Sequence, residues 1–146
     1  MNGPNEAPTA PGGRRLHHVG VVVTDLAAAS GRYHALGFTP GAPPIALPEQ
    51  NVLAVTFPAG DGWVELIQPT DPDGPIARYL AKRGEGFHHV AYQVEDLDGA
   101  LAELAKAGVR LIDSVGRSGV HGWRIAFIHP ESCAGVLTEL VEVPDE

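Results

Sequence analysis

The alternation of apolar and polar residues divides the chain into short β-strands and three helices. Apolar, β-branched runs bounded by glycine, proline or aspartate are typical of strands, and alanine-rich stretches between aspartate and glycine are typical of helices. The pattern predicts strands over residues 16–23, 52–57, 63–68, 87–94, 109–115, 123–129 and 135–142, and helices over 26–36, 75–82 and 97–107. Residues 40–48, with four prolines, predict an irregular loop with at most a short extended piece.

One stretch of this pattern occurs twice without a gap. Residues 17–38 and 88–109 both begin with His-His-Val and continue through Asp-Leu into an alanine-rich segment that ends near glycine. The copies are separated by a constant 71 residues, as His18 and His89 show. Such a repeat indicates one supersecondary unit used twice, because a single unit cannot bury its apolar face alone. We therefore predict an α+β fold in which two pseudo-symmetric βαβββ modules, over about 14–74 and 86–146, form a curved mixed sheet around a cleft.

Length and charge limit the class of protein. The 146 residues fit one domain over 14–146. Residues 1–13 are rich in Pro, Gly, Asn and Ala, which predicts a disordered tail. The net charge of −8 argues against nucleic acid or an anionic membrane as the partner. Cys133 is the lone cysteine and no apolar run reaches the length of a membrane span, so we expect a cytoplasmic protein.

The two strands that begin the modules place histidines at equivalent positions. Because side chains alternate across a strand, His18 and Gly20 are expected on one face, and His17 and Val19 on the other. His89 is the counterpart of His18 in the second module. The two imidazoles are therefore expected to face the same interior.

Two carboxylates complete this pattern, because Glu65 and Glu139 each lie within an otherwise apolar strand. A buried carboxylate is costly unless it is paired or bound to a metal. Two imidazoles and two carboxylates suit zinc, cobalt, nickel, iron or manganese, and argue against calcium. A single strand histidine is more often a hydrogen-bonded core residue. Equivalent positions in both modules favour a metal site formed by His18, Glu65, His89 and Glu139.

Four further motifs make the chain similar to a known family. They lie at residues 47–52 (Leu-Pro-Glu-Gln-Asn-Val), 74–89, 119–122 (Gly-Val-His-Gly) and 128–140. On these residues the chain resembles the vicinal oxygen chelate superfamily of glyoxalases, bleomycin-resistance proteins and dioxygenases and, within it, the methylmalonyl-CoA epimerase family. The resemblance implies a homodimer and a divalent metal at the same four residues. Cobalt is the first expectation, with zinc, nickel or manganese as alternatives.

The resemblance also implies a reaction. It is the interconversion of the R and S forms of methylmalonyl-CoA, in propionate metabolism, through an enolate that the metal stabilises. Inversion requires two acid/base groups on opposite sides of the substrate, and Glu139 is the candidate for the first. Some family members carry the second as a glutamate where this chain has Ala54. We therefore take Glu49, in the neighbouring loop, as the second candidate, although it also fits an exposed loop carboxylate.

Other functions use similar residues. A glyoxalase I-like lyase acting on a glutathione hemithioacetal, or a CoA-thioester epimerase with a different acyl group, would share the ligands and the proton chemistry. Glu131 stands where the family usually has lysine, which bears on the acyl carrier. A ring-cleaving dioxygenase needs open positions beside two histidines and one glutamate, so Glu65 as a fourth ligand argues against it. A drug-sequestering module needs no metal, and the four ligand-type residues argue against that.

Overall fold

The computed structural model describes residues 14–145. The tail predicted over 1–13 lies outside the described residues, and the single domain over 14–146 stays a prediction. The elements are β1 (Arg15–Val22), α1 (Leu26–Ala35), β2 (Ile45–Leu47), β3 (Val52–Ala59), β4 (Gly62–Pro69), α2 (Pro75–Arg83), β5 (Gly86–Val94), α3 (Leu97–Lys106), β6 (Arg117–Ser118), β7 (Arg124–Ile128) and β8 (Thr138–Glu142).

All eight strands belong to one mixed, curved sheet in the order β2-β3-β4-β1-β5-β8-β7-β6. Strand β1 pairs parallel with β4, and β5 pairs parallel with β8. The two modules meet where β1 and β5 run antiparallel at the centre. The order on one side of this junction therefore mirrors the order on the other, which confirms the predicted pair of βαβββ modules.

Equivalent aspartates begin the two helices of the repeat. The Asp25 carboxylate accepts a hydrogen bond from the Ala28 N–H at 3.1 Å, and Asp96 accepts one from Gly99 at 3.0 Å. Each bond satisfies one of the free N–H groups of a first helical turn. After each helix a glycine with positive φ (Gly37 or Gly108) turns the chain away. The predicted starts and ends of α1 and α3 are confirmed to within two residues.

The core has three parts, and their positions follow from the sheet. One apolar cluster packs under α1 and includes Leu26, Phe57 and Leu66. Its counterpart under α3 includes Leu97 and Leu140. The third cluster covers the opposite face of the sheet, which is the inner face of the cleft; it includes Val22, Ala54, Ile67, Ala91, Ile125, Phe127 and Val141.

The predicted strand over 109–115 is wrong. Only Leu111 makes a single bridge, to Ile128, and the edge position is taken instead by β6, two residues within the glycine-rich segment. The cause is local, because the Asp113 carboxylate accepts the Phe127 N–H at 2.9 Å. That N–H would otherwise have bonded a strand carbonyl. Ile112 and Val115 remain exposed as a result.

The other predicted connections agree with the structure. Strands β3 and β4 form a hairpin whose pairing extends to Ala59 and Gly62, and β7 and β8 are antiparallel neighbours. The short β2 lies inside the proline-rich loop, where the sequence predicted at most a short extended piece. Within residues 14–145 no helix has the length and apolarity needed to cross a membrane.

Candidate metal centre

A β-bulge in each central strand brings the second histidine of each pair beside the first. The pairing of β1 with β5 shifts between Leu16 and His18 and again between Gly20 and Val21, so neither His17 nor His88 has a partner across the ladder. A bulge re-aims a side chain in this way. The expected opposite orientation of His17 is therefore wrong, since its Nδ1 lies 2.8 Å from Nδ1 of His18. His88 and His89 repeat the contact at 2.8 Å.

The Nε2 atoms of His18 and His89 meet at the junction of the two modules. Nε2 of His18 and Nε2 of His89 are 3.1 Å apart. Glu139 approaches them with its two oxygens, 3.1 Å from the His18 nitrogen and 3.7 Å from the His89 nitrogen. Glu65 comes from the first module, with Oε1 at 3.9 and 3.8 Å from the same nitrogens. The four residues predicted from the sequence are thus brought together.

The spacing and chemistry of these atoms suit a divalent cation. Ligands held about 2.1 Å from one ion are about 3.0 Å apart at right angles and about 3.4 Å apart in a tetrahedron. The observed contacts of 3.1–3.9 Å are close to that range. His18, His89 and Glu139 have ligand atoms within 4.8 Å of one another and are buried. Two buried carboxylates beside two imidazoles are the donor set that such an ion requires.

Burial and the neighbouring charges shift the pKa values of three members of the group. Burial raises the pKa of the Glu65 carboxyl to about 7, opposed by His18 and increased by Glu139. Burial lowers the pKa of His89 well below its usual value, and the neighbouring His18 and His88 lower it further. For His18 burial acts in the same sense, but hydrogen bonding and charge from Glu139 and Glu65 outweigh it and raise the pKa. A cation would stabilise both carboxylates in their charged form.

Gly20 makes room for the His89 ring. The two residues are paired across β1 and β5. A Cβ atom on Gly20 would lie 2.0 Å from Cε1 of His89 and 2.4 Å from its Nδ1. The counterpart of Gly20 in the second module is Ala91, which pairs with His18 and carries its methyl group without exposure to solvent. His18 and His89 occupy equivalent positions in the two modules, but the residues paired with them differ: Ala91 beside His18 and Gly20 beside His89.

His17 and His88 hold the imidazole rings of His18 and His89 in place. Because Nε2 of His18 and of His89 faces the carboxylates, Nδ1 is left for the contact with His17 or His88. The Trp123 ring packs edge-on against His17 with ring centres 4.3 Å apart and stacks on His18 at 5.8 Å. A partner on the second ring nitrogen fixes the orientation of a ligand histidine.

Glu49 is not among the residues that meet at this point. Its carboxylate accepts a hydrogen bond from the Ser118 N–H of β6 at 3.1 Å. It lines a cavity of about 330 Å³ together with His88, Arg117 and Phe127, and Phe127 in turn contacts the His89 ring at 5.3 Å. Glu49 is therefore beside the site but already hydrogen-bonded across the two modules.

Two residues near the candidate metal ligands, Thr56 and His121, were not predicted as site residues. Thr56 is buried and pairs with Glu65 across β3 and β4. Its Oγ1 lies 2.8 Å from Nε2 of His121, a residue of the glycine-rich turn with φ of 55°. The signal was present, because Thr56 is the only hydroxyl residue in an otherwise apolar strand.

The chain belongs to the glyoxalase/bleomycin resistance protein/dioxygenase superfamily, whose family model matches residues 17–127. Over 128 residues it is 38% identical to the mitochondrial methylmalonyl-CoA epimerase of Bos taurus, covering 86% of this chain and 73% of that protein. Over 132 residues it is 37% identical to the ethylmalonyl-CoA/methylmalonyl-CoA epimerase of Cereibacter sphaeroides, covering 88% and 98%. Within the superfamily it is therefore a member of the methylmalonyl-CoA epimerase family.

The fold is also that of a solved member of the family. The structure of a methylmalonyl-CoA epimerase in complex with methylmalonyl-CoA and NH4+ matches with a TM-score of 0.83 and 36% identity, covering 88% of this chain and 94% of that one. This similarity confirms the fold and the family that the sequence motifs indicated.

Proposed function

We propose that this chain is a metal-dependent epimerase that inverts the α-carbon of methylmalonyl-CoA. The observation that carries the proposal is the meeting of two imidazoles and two carboxylates, drawn equally from both modules, at one buried point. Membership of the methylmalonyl-CoA epimerase family supports the substrate. The α-proton of this substrate lies between a thioester carbonyl and a carboxylate, so its removal leaves a delocalised enolate.

The proposed metal ligands are Nε2 of His18 and His89 and the carboxylates of Glu65 and Glu139. Cobalt is the proposed ion, with zinc, nickel or manganese as alternatives that the same donors accept. A divalent cation here supplies Lewis acidity toward the oxygens of the substrate and makes the α-proton more acidic. The buried donors and the apolar inner face of the sheet keep bulk water away from the reacting carbon.

Glu139 is the proposed base for the first proton transfer. Its carboxylate is fixed between the His18 and His89 rings, and such positioning lowers the entropic cost of proton transfer. It takes the α-proton from one face of the substrate. A second group must deliver a proton to the other face, and Glu49 is the sequence-based candidate. Its bond to Ser118 would have to be exchanged for a contact with the substrate.

Two alternative substrates follow from the same site. One relative is named for both ethylmalonyl-CoA and methylmalonyl-CoA, which favours a test with the larger acyl group. A glyoxalase I-like lyase would perform the same proton transfer on a glutathione hemithioacetal.

The discriminating experiment is a substrate comparison with one cobalt-loaded preparation. Single enantiomers of methylmalonyl-CoA and ethylmalonyl-CoA, and the hemithioacetal of methylglyoxal and glutathione, are supplied in separate assays. We expect the highest kcat/KM for inversion of methylmalonyl-CoA. A higher value with ethylmalonyl-CoA would move the assignment to the larger acyl group, and turnover of the hemithioacetal alone would overturn it.

The assembly and cellular context are further parts of this proposal. We propose a homodimer, supported by the exposed apolar side chains of Phe87, Ile112 and Val136, which line one groove of about 430 Å³. Light scattering should give twice the chain mass, and a monomer at assay concentration would contradict it. The cytoplasmic location and the place in propionate metabolism stay predictions.

A further inference from the structure

Strand β3, in the wall of the cleft, carries one side chain able to pass a proton. Of the eight residues of β3, only Thr56 has an exchangeable side-chain proton. Val52 and Ala54 belong to the apolar cluster on the inner face, whereas Val55 and Phe57 pack under α1. By alternation Thr56 faces the cleft with Val52 and Ala54. It is 2% exposed and would have no contact with solvent protons by itself.

Thr56 stands directly beside the metal ligands. Its register partner across the β3–β4 pair is Glu65, and side chains paired in this way have Cβ atoms about 5 Å apart. The equivalent pair in the second module is Phe127 with Glu139. Thr56 and Phe127 are therefore counterparts, and the modules differ here: a hydroxyl lines one wall and an aromatic ring lines the other.

His121 connects this buried hydroxyl to the outside. Its Nε2 lies 2.8 Å from Oγ1 of Thr56, while the residue as a whole is exposed. The turn formed by Gly119, Val120 and Gly122 holds His121 with φ of 55°, in the left-handed region that non-glycine residues seldom adopt. The ring also contacts Trp63 and Trp123, with ring centres 5.6 and 5.1 Å away. The strained turn and the aromatic contacts fix the imidazole against Thr56.

We propose that Thr56 and His121 form the second acid/base arm of the epimerase, opposite Glu139. The inference rests on the proposed function. It assigns the proton donor that inversion needs to a hydroxyl–imidazole pair, where the sequence suggested Glu49. Histidine suits the outer position because one nitrogen of its ring can accept a proton while the other donates one.

Two proton transfers, one on each face of the substrate, invert the α-carbon. Glu139 takes the α-proton from one face, and the C–H electrons enter the enolate of the substrate. On the other face the Thr56 hydroxyl gives its proton to the α-carbon and accepts the Nε2 proton of the protonated His121 in the same step. Glu139 is left protonated and His121 neutral, and exchange with water restores both. The opposite enantiomer reacts by the reverse sequence.

The test separates proton exchange from inversion. Each enantiomer of methylmalonyl-CoA is incubated in D₂O with cobalt-loaded protein; NMR measures deuterium entry at the α-carbon, and chiral analysis measures inversion. Thr56→Val removes the hydroxyl at nearly constant shape. His121→Asn removes the imidazole but keeps a residue that tolerates positive φ. Thr56→Ser, which keeps the hydroxyl, is the matched control.

We expect Thr56→Val and His121→Asn to slow inversion by about 100-fold, the usual lower effect of losing a general acid or base. They should still exchange the α-proton of the enantiomer whose proton faces Glu139, so for that enantiomer the ratio of exchange to inversion rises by about 100-fold. Thr56→Ser should keep the wild-type ratio. Parallel loss of exchange and inversion would indicate a structural role and overturn the proposal.

A Glu49→Gln variant distinguishes the rival second group. If Glu49→Gln raises the ratio of exchange to inversion and the Thr56 and His121 variants do not, Glu49 is the second group and the inference is wrong. Failure of the proposed function looks different, because the wild-type protein itself would then neither exchange nor invert methylmalonyl-CoA. That result removes the inference together with the function.

Discussion

The two modules are most alike at the floor of the cleft. Each contributes a bulged His-His pair, a 2.8 Å contact between the Nδ1 atoms of that pair, and one glutamate from the strand parallel to it. Each also begins its helix with a capping aspartate. Duplication of one unit therefore brings two imidazoles and two carboxylates together, because each copy supplies one of each at the shared junction.

The modules differ in the residues around that floor. Gly20 faces the His89 ring where Ala91 stands in the second module. Thr56 with His121 occupies the place that Phe127 takes on the other side. A metal can be held symmetrically, and inversion of a carbon requires one acid/base group on each of its two faces. We therefore propose that the repeat provides the metal centre and that a departure from the repeat, Thr56 with His121, provides the second acid/base group.

The largest expected effect is the loss of turnover on replacing Glu139, which should exceed the loss on replacing its counterpart Glu65. Glu139→Ala should abolish turnover, by about 1,000-fold or more, and weaken cobalt binding, because both a base and a ligand are lost. Glu65→Ala should weaken cobalt binding but retain measurable turnover at saturating cobalt. NMR assays of inversion with calorimetric titration of cobalt measure both. Near-normal activity of Glu139→Ala would rule out its assignment.

A smaller effect is expected from substituting Gly20, which is paired with His89, or Ala91, which is paired with His18. In Gly20→Ala the new methyl group would overlap the His89 ring, so the ring must move; overpacking of this kind costs about 1–3 kcal/mol. We expect at least tenfold weaker cobalt binding, measured by titration, and lower stability to urea. The symmetric control, Ala91→Gly, should cost about 1 kcal/mol through backbone entropy and keep the metal. Equal cobalt affinity in both variants would contradict the account of Gly20.

The pH dependence of metal binding follows from Glu65. In the metal-free protein burial raises the pKa of its carboxyl to about 7, and a ligand carboxylate must be deprotonated. Cobalt binding at pH 6 therefore displaces a proton from most molecules, so from this group alone the affinity should rise about fivefold between pH 6 and pH 7. Calorimetry in buffers of different ionisation enthalpy measures the released proton. A Glu65→Gln variant should lose this contribution, and an unchanged pH dependence in it would assign the proton elsewhere.

The smallest effects test the part of the repeat that is farthest from the chemistry. Asp25→Ala and Asp96→Ala each remove one N-cap and should lower the free energy of unfolding by about 1 kcal/mol. Because the caps serve separate helices, the double variant should show the sum. Urea denaturation measures all three proteins. A cost confined to one module would show that the two helices are not equivalent in stabilising the fold.

Much of the fold was predictable because it depends on local signals. The Asp caps, the Gly60-Asp61 turn between β3 and β4 and the 71-residue offset are all visible in the sequence. The four proposed ligands were also predictable, since a carboxylate in an apolar strand needs a partner. The edge strand was not, because the Asp113 carboxylate replaces a backbone partner of Phe127. Nor was the inward turn of His17, which depends on the pairing of two strands distant in sequence.

The contact between Thr56 and His121 could not be predicted from the sequence. The two residues are 65 positions apart, and neither lies in the repeated segment, so no periodicity connects them. Only the approach of the glycine-rich turn to β3 brings the imidazole to the hydroxyl. Thr56 is visible in the sequence as a hydroxyl in an apolar strand, but its contact with His121 is not.

The most direct test of the central claim is deuterium uptake at the α-carbon of methylmalonyl-CoA in D₂O, followed by NMR in metal-stripped and in cobalt-reloaded protein. We expect negligible exchange without metal, and exchange with inversion once one cobalt ion per chain is restored. Equal exchange in the stripped protein would contradict a metal-dependent epimerase. Absence of exchange with cobalt shown to be bound would contradict methylmalonyl-CoA as the substrate.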